Sequence, residues 1–276
     1  MKIRIFSFFS IVLPALFIFS HNSQADTLTF GIVPQQSAKK LAANWSPLFQ
    51  YLSEKTGDKI QFATAKNIPT FEKRLAQKEY DIAYMNPYHF AVFNQPDGYQ
   101  ALAKQSDKAI RGIIVVHKDS GITSIEQLHE QKLAFPAPAA FAATIIPRAE
   151  MQKKGINVLP KFVSSHDSVY LNVSKKFFVA GGGVIRTLSN TPIEVSDQLK
   201  VIWKSQPYTP HAIAARHDLN PETLERLKKA MLAMNDDPEA KALLDKIKFN
   251  GFTHASNSDW DDVRALDINM LSVPES

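Results

Sequence analysis

Four short segments of the 276-residue chain could bind a ligand. The first is Lys132–Arg148, KLAFPAPAAFAATIIPR. It reads as a buried strand over Leu133–Phe135, a proline-punctuated loop over Pro136–Ala140 and a helix starting near Phe141. A loop feeding a helix N-terminus is a ready anion site, because the first backbone N–H groups are unpaired and the helix dipole favours negative charge. Such sites usually add Ser or Thr hydroxyls. Here the helix start offers Ala140, Phe141 and Ala142, and the first hydroxyl is Thr144. The second segment is His166-Asp167, between a strand and a helix. It can present a donor and an acceptor to a ligand, or Asp167 can serve as a plain helix N-cap worth about 1 kcal/mol. The adjacent Ser164 and Ser165 favour the capping role. The third is Gly181-Gly182-Gly183 before Val184-Ile185-Arg186. Gly182 can centre a nest of backbone N–H groups with Arg186 behind it, or the glycines can form a flexible strand-to-helix turn. The fourth is Asn86-Pro87-Tyr88-His89, at a strand end, with Asn86 and Tyr88 expected toward a cleft. Alternatively, Tyr88 and Phe90 belong to the core of the next helix.

Catalysis is harder to build from these residues. His89, His117, His129, His166, His211, His217 and His254 lie far apart. The closest pair, His211 and His217, has no nearby Glu, so a zinc helix motif is absent. There is no Gly-x-Ser-x-Gly, and no Gly-Lys-Ser/Thr follows the glycine run. The chain has no cysteine, which removes thiolate nucleophiles, thiolate metal sites and disulfides together. No cofactor and no metal are expected, and the chain is not expected to be an enzyme.

The elements that must position these segments alternate between short apolar strands and helical patterns. Thr27–Val33, Ile60–Ala63, Asp81–Tyr84 and Arg111–His117 read as strands. Leu41, Trp45, Leu48, Phe49 and Leu52 recur at helical spacing, with Gly57 as the stop. Ser124-x-x-Gln127 is a capping box. Lys161–Val163, Phe177–Ala180, Val201–Lys204 and Ala212–Ala215 make a second α/β unit, and amphipathic helices starting near Pro221, Pro238 and Ser258 follow it. This order predicts α/β architecture with two doubly wound, parallel lobes. Lobe 1 is expected over 26–117 with a return over 213–276, and lobe 2 over 118–212. The crossings are expected near His117–Gly121 and Tyr208–Arg216. A cleft then falls at the strand C-termini, lined by Val33–Ser37 (with Gln35), Tyr84–His89, Pro136–Thr144, Ser164–Tyr170 and Gly181–Arg186.

Residues 1–25 read as a cleavable signal peptide. Lys2 and Arg4 are followed by the apolar run Ile5–Phe19, and Ser23-Gln24-Ala25 precedes Asp26. A cysteine-free exported chain fits a bacterial periplasm. The formal charge of +5 falls to +3 once Lys2 and Arg4 are removed with the leader. The basic residues are scattered along helices, and no basic stripe with interleaved aromatics exists, so nucleic acid is not an expected partner.

Several segments together carry a resemblance to a known family. They are Phe30-Gly31-Ile32-Val33-Pro34, Trp45-x-Pro47-Leu48 with Tyr51-Leu52, Asp81-Ile82-Ala83-Tyr84, VVHKDSG over 115–121, Ser165-His166-Asp167 and VIWKS over 201–205. The chain resembles, over its whole mature length, the phosphate/phosphite/phosphonate-binding proteins of ABC transporters, PhnD-like members of the type II periplasmic binding proteins. The resemblance implies two lobes joined by a two-crossing hinge, a small-molecule ligand and an ABC permease in the inner membrane. Family members hold phosphonate oxygens with a Ser-Thr-Ser-Gly loop, whose places fall here at Ala140, Phe141, Ala142 and Ala143. Two expected tyrosines fall at Ile68 and Met85, and an expected acid falls at Phe178 or Val179. The carboxylate after the loop histidine is kept as Asp167. Each lost hydrogen bond to a buried charge costs roughly 1.5–3 kcal/mol, so a hydroxyl-poor site implies a ligand less like a phosphonate. A periplasmic partner of a membrane sensor kinase or diguanylate cyclase, and an enzyme on the same bilobal fold, are the alternative readings.

Overall fold

The computed structural model describes residues 26–268 and 271; the signal-peptide segment lies outside them. Among the described residues, eleven strands form two sheets. The first contains β1 (Thr27–Ile32), β2 (Lys59–Ala63), β3 (Ile82–Met85) and β4 (Tyr99–Gln105). The second contains β5 (Gly112–His117), β6 (Lys132–Phe135), β7 (Leu159–Phe162), β8 (Ala180–Val184) and β9 (Leu199–Lys204). The chain then returns to the first sheet as β10 (Ala212–Arg216) and β11 (Phe252–His254). The helices are α1 (Ala38–Thr56), α2 (Ile68–Ala76), α3 (Pro87–Phe93), α4 (Ile146–Lys153), α5 (His166–Ser174), α6 (Ile185–Ser189), α7 (Ile193–Ser196), α8 (Pro221–Ala233), α9 (Pro238–Lys246) and α10 (Asp261–Arg264).

The sheets are mixed rather than parallel. The strand orders are β11-β4-β10-β3-β1-β2 and β7-β6-β8-β5-β9. β1, β2 and β3 are mutually parallel, but β10 runs antiparallel between β3 and β4. The reason is where the chain re-enters. The first residue of β10, Ala212, pairs with Met85 at the C-terminal end of β3. A strand entering from that end can only run back against its neighbour. The second sheet repeats the geometry, since β5 begins at Gly112 opposite Val184, the last residue of β8.

β5 pairs with β8 and β9. The first crossing therefore lies between Gln105 and Gly112, earlier than the expected His117–Gly121. The two crossing segments touch: Ile110 and Tyr208 exchange backbone hydrogen bonds of 2.9 and 3.0 Å.

The cores follow from the sequence pattern. α1 starts at Ser37, whose hydroxyl accepts from the Lys40 N–H, runs through Pro47 and stops at Gly57 with φ +78°. Its apolar stripe packs on β1, with the Phe30 and Phe49 rings stacked at 4.6 Å. In the second sheet every residue of β5 is buried. Ile114 and Val116 pack with Phe135 and Met151, while Ile113 and Val115 pack with Val169 and Val173. Both faces are covered, as an all-apolar strand requires.

Candidate ligand-binding cleft

The C-terminal ends of β3, β6 and β8 face one another across a cleft lined by Val33, Gln35, Ile68, Asn86, Ala140–Ala143, His166 and His211, with Ile110 and Val184 at its base. The lobes meet closely there. The remaining cavity is about 10 Å³, room for one water molecule at most.

The Lys132–Arg148 segment forms β6, a loop, a π-helical turn over Phe141–Ile145, and then α4. Ala140, Phe141 and Ala142 are all buried against the cleft. No side-chain cap completes the turn, so its opening N–H groups are left without a capping side chain. Phe141 stands edge-on to Tyr208 with ring centroids 5.3 Å apart. Thr144 does not line the cavity. It is fully buried, and its hydroxyl has no partner among the described residues.

Gly182 is neither a nest nor a turn. The Gly181-Gly182-Gly183 run is the body of β8, and the expected strand over Phe177–Ala180 gives way to Ala180–Val184. The physical reason is close approach. A Cβ on Gly182 would sit 1.8 Å from the Ala143 carbonyl, and one on Gly183 would sit 2.2 Å from the Tyr170 hydroxyl. The π-turn and α5 both rest directly on this backbone.

Asp167 is not the cap of α5. Ser165 is, with its hydroxyl accepting from the Ser168 N–H at 3.1 Å. Asp167 reaches across the cleft instead, accepting from the Ser37 N–H and from Gln36 Nε2, each at 3.3 Å. Next to it, the His166 N–H donates to the Gln35 carbonyl at 3.0 Å. Burial, and then the Arg186 charge, push the His166 imidazole down to about 3, so it is neutral at physiological pH. Arg186, on α6, donates to Gln35 Oε1 and lies 5.7 Å from the Tyr84 ring centroid. Lys40 donates to the Asn190 carbonyl, adding a further contact between the lobes.

Asn86 caps α3, accepting from the His89 N–H at 2.8 Å, and donates to the Ala139 carbonyl of the opposite lobe at 3.2 Å. His89 Nε2 lies 3.0 Å from both Asn86 Nδ2 and Glu72 Oε1. An amide nitrogen only donates and a carboxylate only accepts, so Nε2 hydrogen-bonds to one of the two at a time, according to its tautomer. Tyr88 departs from expectation. It turns away from the cleft, and its hydroxyl accepts from the Leu271 N–H at 2.9 Å.

His211 is the residue that motif reasoning missed. It is buried, stacks on Tyr84 at 4.8 Å, and is held well below the usual histidine range by burial and by Arg186. Its position directly before β10, at the end of a crossing segment, was the available signal.

Two α/β lobes, exchanging the chain twice and enclosing a cleft at their strand C-termini, define a bilobal solute-binding protein. The chain belongs to the family described as ABC transporter, phosphonate, periplasmic substrate-binding protein, whose sequence model matches residues 30–260. It is 24% identical to the phosphate-import protein PhnD of Mycolicibacterium smegmatis, over 74% of this chain and 70% of that protein. It is also 24% identical to the phosphonates-binding periplasmic protein of Escherichia coli, over 91% of this chain and 77% of that one. The fold matches that of PhnD1 from Prochlorococcus marinus, solved with methylphosphonate. The TM-score is 0.80 and the identity 17%, over 87% of this chain and 97% of that one. Members of the family are periplasmic substrate-binding proteins of transporters rather than enzymes.

Proposed function

We propose that this chain is the solute receptor of an ABC importer and that its cleft takes a small solute less anionic than a phosphonate. The observation that carries this reading is the wall over residues 140–143, where Ala, Phe, Ala and Ala meet the cavity. The named relatives are tied to phosphate and phosphonates. In this chain the corresponding helix start has backbone N–H groups but no hydroxyls. Two buried imidazoles, those of His166 and His211, are neutral, and the Arg186 charge acts on both. A dianion would lose about 1.5–3 kcal/mol for each charged hydrogen bond left unmade, and three such losses remove several orders of magnitude in affinity.

Calorimetry of the mature protein with phosphate, phosphite, methylphosphonate and 2-aminoethylphosphonate tests this directly. No heat is expected at micromolar concentrations. Micromolar binding of any of the four, abolished by Phe141→Asp, overturns the reading.

A further inference from the structure

Adjoining the cleft, and sharing Ile110, Val184 and His211 with it, lies a second cavity of about 360 Å³ on the side of the two crossing segments. That is within the range of pockets that hold small ligands. Four cationic side chains line it: Lys108 and Arg111 from the first crossing, Arg186 from α6, and Lys248 just after α9. None of its lining residues is a carboxylate. Nor does any of the four cations form an ion pair among the described residues, whereas Lys104 meets Asp259 at 2.8 Å and Arg264 meets Asp261 at 2.6 Å. Three of the four instead rest on neutral oxygens. Arg111 donates to the Ser205 carbonyl at 2.7 Å, Lys108 approaches the Lys248 carbonyl at 3.4 Å, and Arg186 donates to Gln35.

A second feature points the same way. His211 lines this cavity as well, is 4% exposed, and its Nε2 has no partner among the described residues. A buried polar atom without a partner costs free energy that a bound group would recover. Like charges gathered around a concave, partly desolvated surface repel one another and focus a positive potential into it. The arrangement is costly when empty and suited to an anion when filled.

We propose that this cavity is a second ligand site, for a small molecule bearing two or more phosphate-type charges. Both lobes and both crossings contribute to it, so its occupant bridges the parts of the molecule that must move when the cleft opens. Through Arg186, which also holds Gln35 in the cleft, occupancy is coupled to closure.

The probe is inorganic pyrophosphate, titrated calorimetrically into the mature protein in magnesium-free, low-salt buffer. Binding at one site is expected, weakening as salt rises. Lys108→Gln and Lys248→Gln, both at exposed positions, should each weaken it about tenfold, and the pair about a hundredfold. Lys153→Gln, at an exposed position that lines neither cavity, should leave pyrophosphate affinity unchanged, which separates this site from general charge attraction. Absence of pyrophosphate binding at millimolar concentration, or binding that survives the double substitution, overturns the proposal. So does adsorption to phosphatidylglycerol vesicles without pyrophosphate binding, which would make the cluster a membrane contact.

Discussion

The Asp167 carboxylate in the second lobe accepts the backbone N–H of Ser37 in the first at 3.3 Å. Ser37 is the N-cap of α1, so the carboxylate stands at the positive end of a 19-residue helix, where the dipole favours it. The contact is partly solvated, so its worth is near that of an exposed charge pair, about 1 kcal/mol. Asp167→Ala should therefore raise the ratio of open to closed molecules about fivefold. Small-angle scattering of the ligand-free protein should show a larger radius of gyration; an unchanged radius would remove Asp167 from the closure.

Restoring hydroxyls at the π-turn should restore the affinity that the wild-type wall withholds. Ala140→Ser, Phe141→Thr and Ala142→Ser together place three donors beside the backbone N–H groups already there. Methylphosphonate affinity should rise at least a hundredfold by calorimetry, at about 1.4 kcal/mol per tenfold. No gain would mean that these side chains do not point at a bound oxyanion.

Thr144 offers a test in the opposite direction. Its hydroxyl is buried without a partner among the described residues, and a buried unsatisfied hydroxyl costs roughly 1–3 kcal/mol. Thr144→Val keeps the shape and removes the cost, so urea denaturation should show stability unchanged or raised by about 1 kcal/mol. A loss of more than 1 kcal/mol would show that the hydroxyl has a partner after all.

The two buried imidazoles set a pH dependence. His166 is held at about 3 in the folded chain, below its unfolded value near 6.5. Between those values the unfolded state binds the extra proton, so stability is complete above about pH 6.5 and falls as pH drops toward 3. The slope is up to about 1.4 kcal/mol per pH unit for each such histidine. His211 shifts in the same direction. Urea midpoints at pH 7.5 and 5.0 should differ accordingly, and His166→Gln should shrink the difference. An identical difference in that variant would assign the slope elsewhere.

Much of the architecture was legible because local rules and tertiary structure agree. Gly57 stops α1, Asn220 caps α8 with its side chain on the Glu222 N–H, and Ser124 and Gln127 form their capping box. The departures come where tertiary contact decides. β4, YQALAKQ, has too little alternation to read as a strand, and β11 is only three residues long. The glycine run reads as a nest or a turn because nothing local shows that two helical segments press on it. Ser165 outcompetes Asp167 as a cap because its hydroxyl reaches the Ser168 N–H, leaving the carboxylate free for the other lobe. Gln35, Asn86, residues 140–142 and His166 line one cavity, with Asp167 bonded to Ser37 and Arg186 to Gln35 beside it. Tyr88 falls on the opposite side of the turn that Pro87 begins.

The reciprocal bond pair between Ile110 and Tyr208 has a mechanical consequence. Two tethers laced side by side behave as a ribbon, which bends readily across its plane but resists sliding and twisting within it. The halves of the molecule must then part like the covers of a book, with Ile110 and Tyr208 in the spine.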